Sequence, residues 1–269
     1  MRLLIIALTV AGILMTANAA KADRRVAFVV GNGAYKTVQR LPNPPISAKA
    51  MAKLLRTMGF EVIEGTDLSR NEMTKRLLEF GGKAQGADLA LFYYSGHAVA
   101  INDAEYLLPI DADVKSEMDV KLGRAINVDV TLDQTMGDAK AKLVFLDISR
   151  DNPFPAMIRS ATKTSHSVSV KTPLSEKKSA DNTLIAYATG PGQVAPDGPA
   201  GTVRPFTRAL IANITAPGVE IQQAMTKVRA QVNQETNGTQ NSWEHSSNLD
   251  GTTYLNPVAS PASGPAGAK

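Results

Sequence analysis

The chain has no cysteine among its 269 residues. It therefore cannot form disulfides, zinc–thiolate sites or a thiolate nucleophile. Histidine is scarce as well. His97, His166 and His245 lie far apart and outside any His-Glu-x-x-His pattern, so the sequence offers no metal-ligand spacing. No Gly-Lys-Ser phosphate loop is present, and no serine sits in a Gly-x-Ser-x-Gly elbow. Gly31-Asn32-Gly33 follows an apolar run and imitates the opening of a dinucleotide fingerprint. However, Lys36 stands where the third glycine belongs, and LPNPP at 41–45 is a poor start for the helix a pyrophosphate needs. Aromatic residues make up 5% of the chain, and 29 basic residues are interspersed with 25 acids to give a net charge of +4. Without a basic stripe carrying interleaved aromatics, this composition argues against a nucleic-acid partner.

Long hydrophobic runs are confined to the first stretch, MRLLIIALTVAGILMTANAA, which reads as a secretory signal peptide over residues 1–19. Arg2 forms the basic region, Leu3 to Met15 the apolar region, and Ala17-Asn18-Ala19 the small-residue cleavage site. An uncleaved anchor is the alternative, although the run is shorter than the ~20 residues of a membrane span. The expected location is secreted or periplasmic, with membrane contact only through this segment. The roughly 250 residues that follow can bury one sizeable core.

Within them, apolar runs alternate with amphipathic stretches. RVAFVVG at 25–31 and EVIEG at 61–65 read as strands. A helix is expected from Ser47 as cap to Met58, ended by Gly59, and a second from Ser69 to Gly81-Gly82. Residues 99–126 read as loop with a short extended YLLPI piece, and 130–139 as a short helix. Further helices are expected from Pro205 and over about 219–232. This alternation predicts an α/β fold with a mostly parallel central sheet and helices on both faces. Residues 155–182 are rich in Ser, Thr and Lys and predict a flexible loop inside a domain spanning 24–256. Residues 257–269 predict a disordered tail.

Two runs end in chemistry. KLVFLDISRDNPF at 142–154 begins as a strand buried on both faces and then places Asp147, Ser149, Arg150, Asp151 and Asn152 at its carboxyl end. DLALFYYSGHA at 88–98 likewise gives way to Ser95, Gly96 and His97. Open α/β sheets bind ligands beyond the carboxyl ends of their strands, so one sheet edge could receive an imidazole and a hydroxyl together.

These strand ends resemble the caspase-like cysteine peptidases (peptidase C14), in particular the bacterial branch related to metacaspases. VAFVVGNGAY, LPNPP, GFEVIEG, YLLPIDA, LIAYATGPG and WEHSS follow in the family's order over roughly 230 residues. The resemblance implies a three-layer caspase-like sandwich with about six central strands. It places His97 and Ser149 at the catalytic positions, with Ser149 standing where the family has its cysteine nucleophile. It also places Asp147 in the first specificity pocket, where an acid would pair with a lysine or arginine of a bound peptide, and Asp197 as a second acid there.

A thiol with a pKa of about 8.5 supplies thiolate near neutrality, whereas a serine hydroxyl needs a well-aligned base. The implied function is a proteolytically inactive homologue that keeps a cleft for basic peptide segments. The alternative is weak endopeptidase or acyl-hydrolase activity with Ser149 as nucleophile and His97 as base. Ala98 replaces the family's second glycine after the histidine, and Ile46-Ser47-Ala48 replaces its Asn-Asp-Ala. No cofactor is expected. Calcium is allowed by the resemblance but matched by no diagnostic acidic cluster. A monomer or homodimer is expected. Lysines at 163, 171, 177 and 178 would be cleavage points if the long loop were processed.

Overall fold

A computed structural model describes residues 23–101, 104–149, 182–190, 193, 195–247, 249 and 253–256, with only the backbone of Ser149. The expected leader, the tail, the 150–154 turn and all but Asn182 of the expected long loop lie outside the described residues.

Six strands form one sheet in the order β2-β1-β3-β6-β7-β8. β1 (Arg25–Gly31), β2 (Glu61–Thr66), β3 (Leu89–Ile101), β6 (Ala141–Ser149) and β7 (Thr183–Tyr187) run parallel, and β8 (Trp243–Ser247) pairs antiparallel at one edge. Alternate residues of the parallel strands feed two cores, which is the period of two that a strand covered on both faces requires. Ala27, Val29, Leu91, Tyr93, Leu143 and Phe145 pack on one face. That face is covered by α1 (Pro44–Thr57), α4 (Pro205–Asn213) and α5 (Ile221–Glu235). Val26, Phe28, Val30, Phe92, Val144 and Leu146 pack on the other, under α2 (Arg70–Ala84) and α3 (Val128–Met136). The result is the three-layer α/β sandwich.

The structure moves several boundaries. α1 begins at Pro44 rather than at Ser47, because Pro44 and Pro45 occupy its first positions, where a missing N–H costs nothing and φ is already helical. Ser47 is therefore no cap; it is fully buried inside the helix. α2 opens with the capping box of Ser69 and Glu72, but it runs through Gly81 and Gly82 to Ala84 because its apolar stripe, Met73, Leu77, Phe80 and Ala84, continues across them. The expected loop at 99–126 is partly ordered structure. β3 continues to Ile101 and turns back as β4 (Ala104–Leu107), which pairs with β5 (Ile126–Asn127). A helical turn, Glu117–Asp119, and a π-helical turn, Val120–Arg124, lie between them. A small core of Tyr35, Val99, Ile101, Leu108 and Val120 holds this annex to the sheet edge. Among the described residues no helix is long and apolar enough to cross a membrane.

The glycines of Gly31-Asn32-Gly33 serve this packing. A Cβ at Gly31 would lie 2.3 Å from the Pro44 carbonyl oxygen, and one at Gly33 would lie 2.0 Å from that of Leu41. The chain's own backbone fills the space a pyrophosphate would need. Asn32, fully buried, accepts the Leu68 N–H at 2.9 Å and donates to the Leu108 carbonyl at 3.2 Å.

Candidate functional site

β3 and β6 are neighbours, and their register pairs Ser95 with Asp147 and His97 with Ser149. The two polar strand ends thus meet at one edge of the sheet, facing residue to residue. β3 reaches this geometry through Gly96, whose φ of +154° is one that side chains rarely adopt. A Cβ there would stand 2.5 Å from Tyr35 Oη and 2.8 Å from Tyr94 Oη.

His97 is held by its backbone and by its ring. Its N–H donates to Tyr35 Oη at 2.7 Å, Tyr35 Oη lies 3.2 Å from Tyr94 Oη, and Tyr94 Oη lies 2.8 Å from the Leu108 carbonyl oxygen. Tyr94 Oη also lies 3.0 Å from the His97 carbonyl oxygen, so its one proton goes to the two carbonyls and Tyr35 donates to Tyr94. Burial raises both phenol pKa values, which keeps the hydroxyls protonated. The Tyr35 ring also packs on the imidazole, with centroids 4.7 Å apart and planes at 52°. His97 Nε2 lies 2.8 Å from the Gln39 carbonyl oxygen. A carbonyl only accepts, so Nε2 carries the proton in this bond, and the basic lone pair of the neutral ring is on Nδ1. Tyr35 and Gln39 orient the ring, and only fold-level contacts across the β1–α1 connection reveal them.

Asp147, two residues before Ser149 on β6, is 1% exposed. Its Oδ2 accepts from Thr207 Oγ1 at 2.5 Å, and Tyr93 Oη lies 2.5 Å from the same threonine oxygen. Thr207 gives its single proton to the carboxylate, so Tyr93 donates to Thr207. The other oxygen, Oδ1, faces Arg204 Nη1 at 3.4 Å. Asp197, from the connection after β7, brings its own Oδ1 to 3.4 Å from Arg204 Nε. The two acids named from the sequence therefore converge on one guanidinium, which is 2% exposed. Arg204 also donates to the carbonyls of Asp147 at 2.6 Å and Ala195 at 3.1 Å, and its backbone N–H donates to Ser47 Oγ at 3.0 Å.

Asn43, at the entry of α1, pins the loop that carries Asp197. Its amide donates to the Asp197 and Pro199 carbonyls, and its Oδ1 accepts from Gly201 and Thr202. The Asp197 side chain is 18% exposed and its pKa is raised, chiefly by burial. Arg204, Thr207 and Asn43 escape a sequence reading. The one signal is an arginine immediately before a proline-led helix.

Calcium would need six or more oxygen ligands. Among the described residues no group of three or more histidines and acids is placed to hold a metal ion.

The peptidase C14 caspase-domain model matches residues 24–254. Over 91 residues the chain is 30% identical to the human mucosa-associated lymphoid tissue lymphoma translocation protein 1, and equally to its mouse homolog. That match takes 34% of this chain and only 11% of each relative's length. The fold is similar to caspase-1 from Spodoptera frugiperda, with a TM-score of 0.62 and 16% identity over 89% of this chain and 92% of that one. It is also similar to the Drosophila initiator caspase Dronc, with a TM-score of 0.60 and 13% identity over 87% and 84% of the two chains. At these identities the structural likeness concerns the fold alone. The family match, which spans most of the chain and both strand ends of the site, is the decisive finding: the protein belongs to the caspase-domain family, peptidase C14.

Proposed function

We propose that this protein is an exported, proteolytically silent caspase-domain homologue whose cleft binds basic peptide segments without cutting them. The silence follows from chemistry at the β6 end. The residue in register with His97 is a serine, and a serine hydroxyl yields far less nucleophile than a thiol at neutral pH. Selection for basic side chains rests on one observation. Among the described residues Asp147 and Asp197 bring two carboxylates to one cation, Arg204, which leaves that group one negative charge in excess. Asp197 carries the exposed part of that charge, and a lysine or arginine side chain would supply the missing cation.

Calorimetric titration with matched peptides carrying Lys, Arg or Gln at one position tests this reading. Saturable binding of the basic peptides, weakened in Asp147→Ala and Asp197→Asn, with every peptide recovered intact, is the expected result. Equal binding of the Gln peptide, or its cleavage products, would overturn it. A companion variant, Ser149→Cys, is expected to gain hydrolysis after basic residues.

The orientation of His97 favours a second reading. Gln39 fixes the tautomer whose basic lone pair is on Nδ1, and a base held in one orientation by another group is what a serine nucleophile needs. Ser149 would then support slow acyl transfer. A serine-directed phosphonate that labels the wild type but not His97→Ala would establish that activity, and no label on either would exclude it.

A further inference from the structure

We infer that Arg204 is a specificity-determining residue of the cleft: as an internal guanidinium it occupies the acid pair, so the site selects a lysine ammonium over an arginine guanidinium. This rests on the basic-peptide reading above and adds what that reading leaves open, the kind of cation.

The argument begins with what an arginine ligand requires. A guanidinium is a planar fork, and its advantage over an ammonium lies in bonding two acceptors at once. Asp147 and Asp197 could supply them, but one guanidinium already spans both, with Nη1 at 3.4 Å from Asp147 Oδ1 and Nε at 3.4 Å from Asp197 Oδ1. The neighbouring acceptors are taken by the same group, since Nη1 and Nη2 donate to the Asp147 and Ala195 carbonyls. Arg204 cannot easily yield its place. It sits at the entry of α4, its N–H is fixed on Ser47 Oγ, and Pro205 follows it. An incoming side chain therefore meets one carboxylate, that of Asp197, whose 18% exposure is the only solvent access to the pair beyond about a hundredth of the Asp147 surface. Of that carboxylate, Oδ1 is buried facing Arg204 Nε and Oδ2 already accepts the Asn43 N–H at 3.3 Å, so a guanidinium cannot close its fork on both oxygens, whereas an ammonium acts as a point charge and needs no fork.

The same distances mark the cluster as incomplete. Asp147 Oδ1, Asp197 Oδ1 and Arg204 Nε are buried, and none of the three makes a hydrogen bond, because both ion pairs are longer than a good bond. One cation for two anions leaves the cluster polar, under-bonded and receptive to one further positive charge.

The test compares Lys, Arg and Gln peptides on the wild type and on Arg204→Gln by fluorescence polarisation. The wild type is expected to bind the Lys peptide about tenfold more tightly than the Arg peptide, one bond's worth of difference. Arg204→Gln is expected to reverse that order, because the freed carboxylates then receive a fork. Arg204→Gln leaves Asp147 and Asp197 without this cation, so N-ethylguanidinium is added as a second readout; it should raise the melting temperature of Arg204→Gln and leave the wild type unmoved. An unchanged Lys-to-Arg ratio in the variant, or a wild type that favours Arg, would overturn the inference while leaving the basic-peptide reading intact. If neither basic peptide exceeds the Gln peptide on either protein and N-ethylguanidinium has no effect, both fall together.

Discussion

The two strand ends at the site solve the burial of polar groups in opposite ways. At the β3 end the groups are neutral, and each donor in the chain has an acceptor. His97 N–H, the Tyr35 and Tyr94 hydroxyls and the Leu108 carbonyl form a chain with contacts of 2.7, 3.2 and 2.8 Å. At the β6 end, charged groups are mismatched. Two carboxylates share one guanidinium at 3.4 Å each, and three charged atoms are buried without a hydrogen bond. A matched network rigidifies, because each group removed would strand another. A mismatched charged cluster stores unspent affinity, so the difference assigns positioning to the first corner and recognition to the second.

The largest expected effect comes from breaking the charged corner. Arg204→Met removes the one cation that, among the described residues, faces the buried Asp147 and the partly exposed Asp197, and loss of one partner from a buried ion pair typically costs about 3–5 kcal/mol. Urea denaturation should show a loss in that range, and adding Asp147→Asn should restore a large part of it. A loss below about 1 kcal/mol would mean that Arg204 is not holding the acids, and the contrast between the corners would fail.

Next in size is the neutral corner. Tyr35→Phe deletes the hydroxyl that receives His97 N–H and contacts Tyr94, leaving two buried groups to find new partners at a cost of about 1–3 kcal/mol. Because the deleted hydroxyl anchors the His97 backbone N–H, the His97 ring resonances, followed by NMR, should shift in Tyr35→Phe and stay in place in a control such as Thr202→Ala. A stable variant with unmoved His97 resonances would show that the Tyr35 hydroxyl does not position the ring.

The sequence exposes the anchors of this site better than their partners. Asp147 and His97 are legible because an apolar strand ends abruptly in polar residues, a pattern with a direct structural meaning. Asp197 is legible through resemblance only, in a connection without periodicity. Arg204 is hidden because its contact with Asp147 spans 57 positions and depends on the placement of α4 over the sheet. Tyr35 and Gln39 are hidden for a similar reason, lying in an irregular stretch whose path is set by close approaches at Gly31 and Gly33. The start of α1 was open to reading, since proline in the first turn favours helix, yet the same LPNPP also resembles a breaker until Asn43 is seen bonded across to the Asp197 loop.

The smallest effect sharpens the comparison through pH. Burial raises the Asp197 pKa above its ordinary value near 3.8, and the opposing attraction of Arg204 does not fully offset it. A carboxyl whose pKa is higher folded than unfolded binds more protons in the folded state between the two values. Stability from this group is therefore present below the ordinary pKa and is lost as pH rises through the folded pKa. Asp197→Asn removes that titration, so the stability of wild type relative to the variant should fall as pH rises from just below 3.8 and level off above the folded pKa. Chemical denaturation of both proteins over that range reads the slope. A rising difference would mean that Arg204 satisfies Asp197 more than burial penalises it. The charged corner would then be as closed as the histidine corner, with no surplus charge for a peptide to meet.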